Sequence, residues 1–442
     1  MTVRKASFAL TLTPALAPLV EREVAAPDRA FHSLDWHGSV LIAADRASGL
    51  SASRWQQNVR TGLLERSLSL GADHREGPHL DRPDVGRRLL AHVDALAEAG
   101  LSFSGLQAFS DEAELDNPGA LWALALLFGC LDEVGADEAF AAWIASLDEA
   151  LFVTYSGVVE IADALQLAPN LELRAGATGW LAGASAPLAA VALETMSLDQ
   201  IPADLALRLG RRGEPLVLVA MERLVSRSPQ AASRAGSTSA AWTSIGHPAL
   251  AHEIVRARIL AQDFDPLLRL RGRDAQALGA LGPYAMDVVA LAGDDRDGEL
   301  AREIALGLPT TPGLLDAMGR AGLTSLFPRL LAAVDDDDLD DEAHAALGTA
   351  LGSPSARPSR AGWEQAVARL PSAEIPSRVR GGRPHAPAAV LEEMRRPELS
   401  ARDLRIRADE LLLRSAKQVT PAWDALSVTL EGALSELSRL AR

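Results

Sequence analysis

Ala186-Pro187-Leu188-Ala189-Ala190-Val191-Ala192-Leu193-Glu194 and Glu214-Pro215-Leu216-Val217-Leu218-Val219-Ala220-Met221-Glu222 share the pattern Pro-Leu-x-x-Val-Ala-(Leu/Met)-Glu. Gly246-His247-Pro248 and Gly282-Pro283 open two further apolar stretches, so Pro187, Pro215, Pro248 and Pro283 follow one another at intervals of 28, 33 and 35 residues. Periods of this size mark stacked helix pairs. Glycine ends one helix because it tolerates left-handed dihedrals, and proline starts the next because it lacks an interior donor. A single short pair cannot bury its apolar face, whereas a stack can. The expected fold is therefore all-α, an α-solenoid.

Helical periodicity extends outward from these repeats. Leu89, Val93, Leu96 and Ala97 share one face, with Arg87, Asp94 and Glu98 opposite and Gly100 placed as a C-terminal cap. Asn117-Pro118 reads as a helix start. Ala120–Leu131 is apolar all round, which predicts a helix buried between neighbours and is too short to cross a bilayer. Only Ser7–Thr13 and Ser39–Ala43 alternate like strands. The array is expected over residues 81–352, after an N-terminal region, 1–80, of open structure. A linker and an Arg/Gly/Pro loop (Arg378–Pro384) follow within 353–384, with a short helix at Trp363–Leu370 between them. Closing helices fill 385–442, at about 386–396, about 400–416 and from Pro421 onward. In the last of these Trp423, Leu426, Leu430, Ala433, Leu437 and Leu440 form a narrow seam suited to closing the end of a stack.

Composition narrows the function. The 442 residues are 48% hydrophobic but only 4% aromatic, so the core is built of Ala, Leu and Val. Lys plus Arg number 43 against 59 Asp plus Glu, a net charge of −16 that argues against nucleic-acid binding. The lone Cys130 can form neither an internal disulfide nor a thiolate metal site, and its apolar, acid-flanked setting predicts a buried, unreactive thiol. The N-terminal run Ala6–Val20 only loosely imitates an export signal, being broken by Pro14 and Pro18. A cytoplasmic protein with no membrane partner is expected.

Residues Leu90–Leu96 with Ala99-Gly100, then Asn117-Pro118-Gly119-Ala120-Leu121, Arg380-Gly381-Gly382-Arg383-Pro384, Ala388-Ala389-Val390-Leu391 and Arg407-Ala408-Asp409-Glu410-Leu411 resemble an uncharacterised family of bacterial HEAT-like-repeat proteins. The likeness spans about Leu89 to Leu413. It implies a solenoid of stacked HEAT-like helix pairs with no known activity, and an accessory place beside type VI secretion gene clusters.

Motifs for catalysis are sparse. There is no GxGxxG, no Walker loop and no Gly-x-Ser-x-Gly elbow. His32/His37 and His74/His79 are each five apart, off one helix face and poor as metal pairs. The acidic run Asp335–Asp338 with Asp340, Asp341 and Glu342 lacks the spacing of a calcium loop. It reads instead as the acidic start of a helix over about Asp340–Leu351. Asp295-Arg296-Asp297-Gly298 reads as an inter-helix turn. The tryptophans look like core anchors, Trp180 and Trp363 being candidates for an interface. Neither cofactor nor metal is called for.

One region departs from the acidic average. Residues 376–417 hold ten cations against six acids. Arg378, Arg380, Arg383, Arg395 and Arg396 are the candidate partner-binding residues, offered to an acidic protein surface. The competing reading pairs these arginines with the chain's own acidic repeats. The expected function is a non-catalytic repeat scaffold or adaptor binding another protein. The alternative is an enzyme on a HEAT-like scaffold, of the bilin-lyase or DNA-glycosylase kind, the latter opposed by the charge.

Overall fold

Helix starts follow the sequence signals closely. Asn117 Oδ1 accepts the Ala120 N–H at 2.7 Å and Pro118 opens the helix behind it, its missing donor costing nothing there. Pro187, Pro215, Pro248 and Pro312 occupy the same kind of position, the last behind Thr311, whose hydroxyl accepts the Leu314 N–H. The computed structural model describes residues 52–77, 82–98, 101–113, 115, 117–130, 135–167, 181, 185–196, 213–227, 242–352, 357–370, 378–396 and 399–415. Described residues are mostly α-helical. The helices are α1 (Ala52–Glu76), α2 (Arg82–Glu98), α3 (Phe103–Glu112), α4 (Pro118–Cys130), α5 (Ala136–Ser146), α6 (Ser156–Leu167), α7 (Ala186–Thr195) and α8 (Pro215–Arg227). There follow α9 (Pro248–Leu260), α10 (Asp265–Arg271), α11 (Ala275–Leu281), α12 (Ala285–Ala292), α13 (Gly298–Gly307), α14 (Pro312–Ala321), α15 (Phe327–Ala333), α16 (Asp340–Leu351) and α17 (Arg360–Ala368). A two-stranded hairpin, β1 (Val379–Arg380) and β2 (Arg383–Pro384), precedes α18 (Pro387–Glu393) and α19 (Ala401–Ser415).

The chain divides into two compact units. One runs to Leu224 and takes in residues 397–404; the other runs from Val225 to Arg396 and takes in residues 405–420. The array expected over 81–352 is thus split near residue 224. In the first unit α4 lies against α1 and α6, and α6 lies against α7. Every described side of α4 after Pro118 is buried, as its all-round apolarity requires. Cys130 is buried there too. The α1–α4 crossing is close because it is made of small residues: a Cβ on Gly71 would lie 2.5 Å from Ala123 Cβ and 2.6 Å from the Gly119 carbonyl. Helix α1 falls within residues 1–80, so the helical body begins before the expected boundary.

In the second unit α12 lies against α14, α14 against α16, and α16 against β1. Gly319 permits the α14–α16 contact, since a Cβ there would lie 2.6 Å from the Ala346 carbonyl. Helix α16 starts at Asp340 and ends at Leu351, with Asp340, Asp341 and Glu342 in its first turn, as expected. Asp295–Asp297 is an inter-helix 3-10 turn closed by a capping box, Asp294 accepting from Arg296 N–H and Asp297 from Asp294 N–H. Helix α17 begins at Arg360, ahead of the expected Trp363, because Ser359 Oγ caps it through the Gly362 N–H. Residues 275–292 reach the length and mean hydropathy of a membrane span, yet they form two helices broken by the 3-10 turn Gly282–Tyr284, with Gly282 at φ +48°. The segment 378–384 is a hairpin, not the loop expected. Its Gly381-Gly382 turn has φ of +58° and +74°, the left-handed pair that a tight two-residue connection demands. The strand-like stretches near the N-terminus, Trp180 and the helix from Pro421 lie outside the described residues.

Packing on glycine makes a prediction. Gly319→Leu forces side-chain atoms into the α16 backbone and should cost about 1–3 kcal/mol. The melting temperature checks this, and the exposed Gly313, whose added Cβ meets nothing within 4 Å, is the control.

Candidate functional site: a buried arginine clasp

Helix C-termini leave carbonyls without intrahelical donors. In the second unit the hairpin supplies those donors to three helices in turn. Arg378 Nε donates to Ala321 O at 2.7 Å, its Nη2 to Ala290 O at 3.0 Å and its Nη1 to Gly293 O, joining the ends of α12 and α14. Arg380 Nη1 donates to Arg320 O at 2.6 Å. The backbone continues the series: Val379 N–H donates to Gly322 O, Gly381 N–H to Thr349 O and Gly382 N–H to Ala350 O. The guanidiniums at the ends of α12 and α14 also meet the negative poles of those helix dipoles. Gly322, at φ +61°, is where this approach is closest; a Cβ there would collide with the Val379 carbonyl.

The guanidiniums are balanced by buried acids. Arg380 Nε donates to Glu393 Oε2 and its Nη2 to Glu410 Oε2 at 3.3 Å. Arg407 Nε donates to Glu393 Oε1 at 2.8 Å, and His385 Nε2 to Glu410 Oε1 at 2.8 Å. Arg320 binds Asp316 at 2.8 Å and, by a shorter contact, Asp287. Arg320, Arg378, Arg380, Arg407, Glu393 and Glu410 are each no more than 5% exposed. Burial works to raise the Glu393 pKa, but Arg380 and Arg407 outweigh it and hold the carboxyl below its usual range. Burial likewise opposes the charge on Arg320 and Arg380, and the carboxylates around each more than restore it.

These contacts decide where the five candidate arginines stand. Arg378 and Arg380 are core residues at 2% and 0% exposure, so the docking role expected of them is corrected: they bind the chain's own carbonyls and acids. Arg396 is half-buried and donates to Gly348 O at 3.4 Å. Arg383 is 70% exposed beside Glu392, and Arg395 is exposed. The structure therefore splits the patch into a buried pair and a surface group. Sequence reasoning missed Arg320, Asp287, Glu393, Glu410 and His385. The available signal was the Gly-Gly dipeptide flanked by short extended residues, a hairpin mark.

The first unit has a smaller version. Glu194, the last residue of the repeat pattern, is 4% exposed and accepts from Tyr155 Oη and Arg223 Nε, both at 2.7 Å. Arg75 pairs with Glu160 and Asp163 and sits 5.7 Å from the Trp122 ring. Among the described residues no group of three His, Cys, Asp or Glu side chains is placed to hold a metal ion. No protein-family model, no curated protein and no solved structure matches this chain.

Breaking one partner of the clasp leaves an uncompensated buried charge. Glu393→Ala should cost about 3–5 kcal/mol, read from urea unfolding followed by circular dichroism. Glu392→Ala, at the exposed pair with Arg383, should cost under about 1 kcal/mol.

A second prediction concerns acid. His252 stacks on Tyr284 at 5.1 Å, and burial lowers its pKa against the pull of Asp287 and Glu253. With the folded pKa depressed, the unfolded chain binds the proton more readily. Stability is then full above about pH 6.5 and falls as pH drops below it. The melting temperature should decline between pH 7.5 and 5.5, and decline less in His252→Phe.

Proposed function

We propose that this chain is an α-solenoid of HEAT-like helix pairs acting as a non-catalytic scaffold or adaptor for another protein. The observation that supports the reading is a recurring separation of 27–33 residues among its side-chain links. Gln166 reaches Glu194 O across 28 residues, Arg223 reaches Glu194 across 29, Arg273 reaches Glu303 across 30, Ser325 reaches Gly298 O across 27 and Arg320 reaches Asp287 across 33. These separations match the proline intervals, as they do when equivalent positions of neighbouring repeats touch. Alternate helices α12, α14 and α16 lie side by side. The buried charges are spent on one another, which fits a framework better than a reacting site.

Arg383 and Arg395 are the exposed cations through which an acidic protein partner would be met. Membership of the bacterial HEAT-like family, an accessory role in type VI secretion and a cytoplasmic location belong to the same proposal and rest on the resemblance. Nucleic acid is opposed by the −16 charge, and duplex DNA should show no sub-micromolar binding by fluorescence anisotropy at physiological salt.

The deciding experiment is purification of the tagged full-length chain at native expression, read by mass spectrometry. A stoichiometric protein partner, lost in Arg383→Glu/Arg395→Glu while melting temperature holds, is expected. Retention of no protein above an untagged control would overturn the scaffold; undiminished retention by the double variant would overturn this surface.

A further inference from the structure

Helix α17 is held differently from its neighbours. Trp363 is its one buried side chain among the described residues, and it enters the space beside α15 and α16. The Trp363 indole Nε1–H donates to His344 Nδ1 of α16 at 2.8 Å, the rings lying 5.9 Å apart. The other polar ties are exposed ion pairs, Arg360 with Asp335 and Glu364, and Arg357 with Asp340 and Asp341. Exposed pairs hold little. The helix thus depends on one anchor, and the acceptor of that anchor is a titratable nitrogen.

We propose that α17 is an acid-released latch, in which protonation of His344 at Nδ1 takes away the acceptor of the Trp363 indole and frees the helix from α15 and α16. An imidazolium carries hydrogens on both nitrogens and can only donate. It would then face an indole N–H, also only a donor, and the two repel. The charged groups acting on His344 are Asp340 and Asp341 on its own helix and Arg357 from the segment leading into α17; Arg360 on α17 is paired with Asp335 and Glu364. The two aspartates favour the imidazolium, but Arg357 occupies both and adds its own charge. Burial and Arg357 hold the pKa of His344 below its ordinary value, so the latch is shut at neutral pH and opens only in acid.

The test uses the full chain with nitrogen-15 in its tryptophans, the Trp363 indole signal being assigned by its loss in Trp363→Phe. Lowering pH from 8 to 5 should shift or broaden this signal with a midpoint below 6.5. In His344→Gln, whose amide oxygen accepts without titrating, the signal should stay fixed. Arg357→Gln releases Asp340 and Asp341 to stabilise the imidazolium and should move the midpoint upward; this variant alters only exposed pairs, so it serves if His344→Gln does not fold. A Trp363 signal constant to pH 5, an undiminished titration in His344→Gln, or a midpoint unmoved or lowered in Arg357→Gln would each overturn the latch.

Discussion

The second unit depends on one requirement, that the carbonyls ending α12, α14 and α16 find donors away from water. Helix ends buried without partners are costly. Arg378 serves both α12 and α14, Arg380 and the Val379 N–H add donors at the end of α14, and the backbone of Gly381 and Gly382 serves α16. Bringing guanidiniums into the interior then demands acids, which explains why Glu393 and Glu410, from the two helices after the hairpin, point inward. Each element of the clasp follows from the one before it. A buried ion network of this kind adds little over apolar packing of equal volume, yet losing one member is expensive. That asymmetry fixes register: only one placement of the hairpin satisfies all the partners.

The first unit solves a simpler problem. Its central helix α4 has no polar face, so closeness is what matters, and Gly71, Gly119 and Ala123 let α1 approach to backbone contact. Polar links there, such as Glu194 with Tyr155 and Arg223, tie α7 to α8 and to the turn before α6.

Helix positions were legible wherever a local rule sets them. Asn117-Pro118, the proline starts and the acidic opening of α16 are decided by capping chemistry within a few residues, and the structure follows them. The hairpin was not, because Arg378–Pro384 carries turn-formers that suit a loop equally well; its strands exist only through Gly322 and the end of α16. Whether an arginine is buried is likewise a long-range fact. Arg380 and Arg383 are three residues apart with the same flanking glycines, yet one has no exposed surface and the other is mostly in solvent. The difference lies in Glu393, Glu410 and the Arg320 carbonyl, none of which a local pattern connects to them. The buried pair is matched by the chain's own acids, but by Glu393 and Glu410 of the helices after the hairpin and not by the acidic repeats expected.

The hairpin's partners lie far back along the chain: Arg378 bonds to carbonyls 57, 85 and 88 residues before it. During synthesis, therefore, α12 and α14 leave the ribosome long before the residue that seals them. At about 5–20 residues per second that interval lasts on the order of several seconds. Through it the carbonyl ends of both helices have only water, while the guanidinium of Arg320 already has Asp287 and Asp316. The newborn second unit is for that time unlatched, and its exposure to proteases and chaperones is set by the rate at which residues 294–378 are made.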